Sequence, residues 1–110
     1  MNNSPTESTD ETRMSVADRE DLYAKAQIRW THEAQLAKAA EEFAELAAVV
    51  SRWQNDQTTA EEILDEMADA KIMLEQLETV FTDEAVDTAF NRKLTELKNR
   101  LQYDVEVSEA

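Results

Sequence analysis

Two pairs of acids stand out by their spacing: Glu42 with Glu45, and Glu66 with Asp69, each three residues apart in an apolar context. In a helix, residues three and four apart are surface neighbours. Glu42 thus neighbours Ala39 and Leu46, and Glu45 neighbours Ala48 and Val49. Glu66 neighbours Ile63 and Ala70, and Asp69 neighbours Ile72 and Met73, so all four acids border or enter apolar stripes. Removing a carboxylate from water costs several kcal/mol, and clustered carboxylates repel one another. Convergence is therefore tolerable only with compensating cations. Hard divalent ions prefer oxygen ligands, and Mg²⁺ suits a site whose few protein ligands leave room for waters and substrate phosphates. The competing reading is plain solvation at the stripe edge, with Lys38, Arg52 and Lys71 as ordinary partners.

Missing residue types narrow the chemistry. With no glycine, GxxxxGK[ST] and GxGxxG phosphate loops and the GxSxG elbow of serine hydrolases are excluded. With no cysteine, thiolate catalysis and Cys-ligated zinc are excluded as well. The one histidine, His32, reads as a solvated first-turn residue. A net charge of −14 opposes direct nucleic-acid binding, which needs clustered Lys and Arg. A small nucleotide meets the same repulsion unless divalent cations stand between it and the acids.

The elements that must position these acids are helical. Residues 1–14 hold the only proline and almost nothing apolar, and read as a disordered acidic tail. A first helix is predicted from Val16 to about Ile28 with Ser15 as its cap, and a second from about His32 to Trp53 capped by Thr31. Asn55 and Asp56 are the best residues for a left-handed turn in a chain without glycine. Thr59 to Glu62 fits a capping box opening a third helix to about Val80, whose expected apolar seam is Ile63, Met67, Ala70, Leu74, Leu77 and Phe81. Thr82, Asp83 and Glu84 open a fourth helix to about Tyr103, and residues 104–110 are expected to fray. Four helices on short turns predict an all-α, four-helix bundle-like domain over residues 15–103, completed by homo-oligomerisation because one such chain buries little apolar surface. No apolar run is long enough to span a membrane, which places the chain in the cytoplasm.

The string Glu41-Glu42-Phe43-Ala44-Glu45, twenty intervening residues, then Glu66-Met67-Ala68-Asp69 resembles the EExxE…ExxD signature of the MazG-like nucleoside triphosphate pyrophosphohydrolases. The resemblance covers roughly Trp30 to Leu101 and extends to the string EEILDEMADAKIMLEQLE. It implies an all-α homodimer or homotetramer with Mg²⁺, or Mn²⁺ in its place, held by Glu42, Glu45, Glu66 and Asp69. It also implies cleavage of an NTP or dNTP between the α and β phosphates to the monophosphate and pyrophosphate, in the manner of pool sanitation. Glu42 or Glu45 would take the proton from the attacking water. Lys38, Trp30, Asn91, Lys93 and Arg100 are the candidates for touching substrate, with Trp30 able to stack on a base. Arg92 belongs to the same basic helix, and Glu41 to the edge of the signature. Trp53, at the far end of the second helix, and Met67 and Met73 read as packing residues. Two other readings compete: a non-catalytic acidic helical-bundle interaction protein, and the related phosphoribosyl-ATP pyrophosphatase.

Overall fold

The computed structural model describes residues 13–109, so all but the last two residues of the expected acidic tail lie outside it. Four helices follow in order: α1 (Val16–Arg29), α2 (His32–Gln54), α3 (Ala60–Glu78) and α4 (Asp83–Glu109). No strand occurs among the described residues.

Each helix starts where a hydroxyl can satisfy a free amide. Ser15, Thr31, Thr59 and Thr82 accept from the backbone N–H of Asp18, Ala34, Glu62 and Ala85, at 3.0 to 3.2 Å. Such caps contribute about 1 kcal/mol each. The capping box forms only by half, because the Glu62 carboxylate takes the Thr58 hydroxyl. The turn between α2 and α3 uses Asp56 at φ 56°, where a short polar side chain tolerates the left-handed region. At the other end of the chain α4 runs on to Glu109, past the expected stop near Tyr103.

The short turn folds α2 and α3 into an antiparallel hairpin, the one helix pair in extensive contact. Its inner faces repeat at alternating steps of four and three: Gln35, Ala39, Glu42, Leu46 and Val49 on α2, and Ile63, Glu66, Ala70, Met73 and Leu77 on α3. Ala39, Val49, Ala70 and Met73 are buried here, and the two alanines allow the helices to approach closely. The expected α3 seam is therefore corrected by a rotation about the helix axis. Ala70, Leu77 and Ile63 stay on the inner side, whereas Met67, Leu74 and Phe81 are exposed and Met73 takes the core position. Both faces were apolar enough to serve, and pairing with α2 chose the one containing Glu66.

α1 leans on α3 through polar contacts. Tyr23, the buried residue of α1, donates its hydroxyl to Glu75 Oε1 at 2.7 Å. Arg19 Nε donates to the same oxygen at 3.1 Å, and Gln27 Nε2 donates to Thr79 Oγ1 at 2.7 Å. No residue of α4 is buried among those whose burial is described, and Phe90, Leu94, Leu97 and Leu101 form an exposed row along it. The radius of gyration, 18.7 Å, is well above the roughly 13 Å of a compact domain of about 100 residues.

Candidate metal centre

Halfway along the hairpin the inner faces carry acids where hydrophobic side chains would serve packing better. One carboxylate oxygen from each of Glu42, Glu45 and Glu66 lies within 4.8 Å of the other two. Glu42 and Glu66 are inner-face residues of α2 and α3, and Glu45, one turn after Glu42, closes the group from the solvent side.

Burial separates the three. Glu42 is 7% exposed, Glu66 is half-buried and Glu45 is exposed. Lys38 Nζ meets Glu42 Oε1 at 2.9 Å and reaches Glu41 at 3.9 Å, one turn along α2. Glu42 Oε2 and Glu66 Oε2 are buried without any hydrogen-bond partner among the described residues. An unpaired buried carboxylate oxygen is among the costliest groups a fold can retain. The charges of Glu42, then desolvation and the charge of Glu66, push the Glu45 carboxyl above its ordinary range. Lys38 is pushed up in turn, first by its hydrogen bond to Glu42 and then by the charge of Glu41.

The donor set fits a hard divalent cation. It is all oxygen, it gathers three carboxylates around a single paired lysine, and it leaves two buried oxygens without a hydrogen-bond partner. Three carboxylates do not fill a six-coordinate shell, so waters or phosphate oxygens would complete it. Asp69, the fourth expected ligand, is exposed on α3 and is not in this group.

The other expected site residues fall into two sets. Trp30 and Lys38 lie near the hairpin and line a common cleft with Gln35, Met73 and Gln76. Asn91, Lys93 and Arg100 are exposed on α4; Lys93 pairs with Glu96 at 3.3 Å, and none of the three lines the clefts found along the hairpin. Trp53 is exposed, as is His32, which edges a second cleft.

Two features escaped sequence reasoning. Gln35 sits one heptad before Glu42 and so shares its inner face, a signal that was present in the spacing. The Arg19–Glu75–Tyr23 group joins residues more than fifty positions apart, and no local spacing announces it.

Compared with known proteins, the chain matches no family model, no curated protein and no solved structure. No helix among the described residues is long and apolar enough to cross a membrane. The functional reading therefore rests on the convergence of Glu42, Glu45 and Glu66.

Proposed function

We propose that this chain is a Mg²⁺-dependent nucleotide pyrophosphohydrolase, splitting a nucleoside triphosphate into the monophosphate and pyrophosphate. The observation that carries this reading is the convergence of the Glu42, Glu45 and Glu66 carboxylates, two of which, Glu42 and Glu66, each keep a buried oxygen without a partner. A divalent ion bound there would neutralise the triphosphate and acidify an attacking water. The resemblance of EExxE…ExxD to the MazG-like signature supplies the reaction class.

The roles of the side chains follow from their surroundings. Glu42 and Glu66 hold the cation from the two halves of the hairpin. Glu45 is the better proton acceptor, since it faces solvent while Glu42 Oε1 is engaged by Lys38. Lys38 holds the Glu42 carboxylate in place through their ion pair. Asp69 joins through a change of rotamer or through a bound water, being one turn past Glu66 on α3.

The working form is a homo-oligomer. An exposed apolar row on α4 and so small an internal core are the features of a chain that completes its packing against another copy. Leu97→Lys, in the middle of that row, is expected to lower the mass measured by analytical ultracentrifugation toward the monomer.

Catalysis is tested by measuring pyrophosphate release from standard and modified nucleoside triphosphates with Mg²⁺. Turnover giving monophosphate and pyrophosphate in equal amounts, lost in Glu66→Gln, is the expected result. Silence across the whole panel would overturn the reading.

A further inference from the structure

Beside the carboxylates, the same two helices form a second arrangement of polar groups that phosphate and metal chemistry leaves unused. Two clefts, of about 310 and 380 Å³, share Trp30, Gln35, Met73 and Gln76. Both volumes fall at the lower end of the roughly 300–1,000 Å³ of small-molecule sites. Gln35 Nε2 is buried there with no hydrogen-bond partner. Turning the amide over would put its carbonyl oxygen in the same place, so one end of Gln35 is unsatisfied in either orientation. Gln76 Nε2 is engaged only by Met73 Sδ, at 3.7 Å, a weak acceptor that a better one would displace.

This cleft differs in kind from the metal centre. Two primary amides, a thioether and an indole line it beside Lys38, and Trp30 is 54% exposed even with the Arg29 guanidinium 5.8 Å from its ring centroid, which leaves indole area to stack on. The cleft lies close to the carboxylates along the hairpin. Gln35 precedes Glu42 by two turns of α2, roughly 10 Å at 1.5 Å per residue. Lys38 lines the cleft and contacts Glu42, so it stands between the two.

We infer that this cleft receives the nucleobase and that Gln35 and Gln76 determine which base is accepted. The inference rests on the nucleotide reading of the carboxylate site and extends it to selectivity. A neutral heteroaromatic ring satisfies what the cleft lacks: an edge with hydrogen-bonding atoms for the two amides and a flat apolar face for Trp30 and Met73. Amides suit this role because each offers a donor and an acceptor in one plane, and a site built on such groups rejects a base whose edge leaves them unpaired.

The test separates the base from the phosphates. In a Trp53→Phe background, which leaves Trp30 as the sole indole, fluorescence is titrated with adenosine, guanosine, cytidine, uridine and thymidine without Mg²⁺. Saturable quenching by at least one nucleoside is expected, with Gln35→Leu and Gln76→Leu each weakening it at least ten-fold. Their helicity and melting temperature are checked alongside, and Gln35→Ala serves where leucine disturbs the hairpin. In turnover the Gln35 variants are expected to raise KM for the preferred base and to compress the ratio of kcat/KM between best and worst bases. Absence of quenching by all five nucleosides, or wild-type binding by the leucine variants, would overturn the inference. Turnover that ignores the base would sink the cleft's role while the hydrolase stands. Quenching without any turnover would sink the hydrolase and leave the base cleft.

Discussion

The molecule places carboxylates against its helix packing in two regions, and treats them in opposite ways. Glu75 receives a hydroxyl proton from Tyr23 and a guanidinium from Arg19 on one oxygen, and the Tyr23 hydrogen bond leads in holding its carboxyl below the ordinary range. Glu42, Glu45 and Glu66 gather with one lysine, paired to Glu42, leave two buried oxygens unpaired, and push Glu45 the other way. A fold that can place two donors, Arg19 and Tyr23, on one carboxylate is not short of means. On the proposed function the second group is a cation site, whereas the first is a clasp that joins α1 to α3.

The largest expected effect separates the two groups by metal. Saturating Mg²⁺ should stabilise the native chain by about 2.7 kcal/mol at a hundredfold excess over Kd, seen as a rise in Tm. Glu42→Gln should abolish the rise, while Glu75→Gln should lower Tm and keep the rise in full. A Mg²⁺ shift that survives Glu42→Gln, or one that depends on Glu75, would dissolve the distinction.

Next in size is the clasp itself. Tyr23→Phe removes a hydrogen bond to a charged acceptor and should cost about 1.5 kcal/mol in urea unfolding, with no change in pyrophosphate release. A loss of turnover without loss of stability would mean that α1 serves the chemistry directly.

The remaining effects are those of pH. Burial, then the Glu75 hydrogen bond, raise the Tyr23 hydroxyl to about 12 from an ordinary value near 10. Its contribution is complete below pH 10 and is lost as the pH rises from there toward 12. Glu75 acts in the reverse direction, since its folded pKa is depressed. Its contribution is present above the ordinary glutamate range and fades as the pH falls through the lower, folded value. Glu45, raised in the fold, weakens the metal-free protein at neutral pH, and protonating it relieves that repulsion. Stability of the metal-free chain should thus gain from Glu45 at a pH where Glu75 is still ionised. A Glu45→Gln variant that leaves the acid side of the stability profile unchanged would remove this contrast.

Much of the architecture was written locally. Ser15, Thr31, Thr59 and Thr82 act through the amide three residues ahead, and Asp56 through its own backbone, so residue type and spacing were enough to place the helix starts and the turn. The heptad-like steps that put Glu42 and Glu66 on apolar faces are equally local, and they made a carboxylate pair on facing helices an expectation of the sequence. Glu45 followed from its place one turn after Glu42.

The rest needed partners distant in the chain. Which of two apolar stripes α3 turns inward was settled by its pairing with α2, which buries Ala70 and Met73 and leaves Met67 exposed. That same rotation brings in Glu66 and leaves Asp69 outside, a difference that ExxD spacing alone cannot express. The Arg19–Glu75–Tyr23 clasp and the cleft beside Gln35 exist only once α1 and the hairpin are assembled. Periodicity fixes the residues that share a face of a helix, because the backbone repeats every 3.6 residues, whereas the choice among faces depends on shape and charge supplied by another segment.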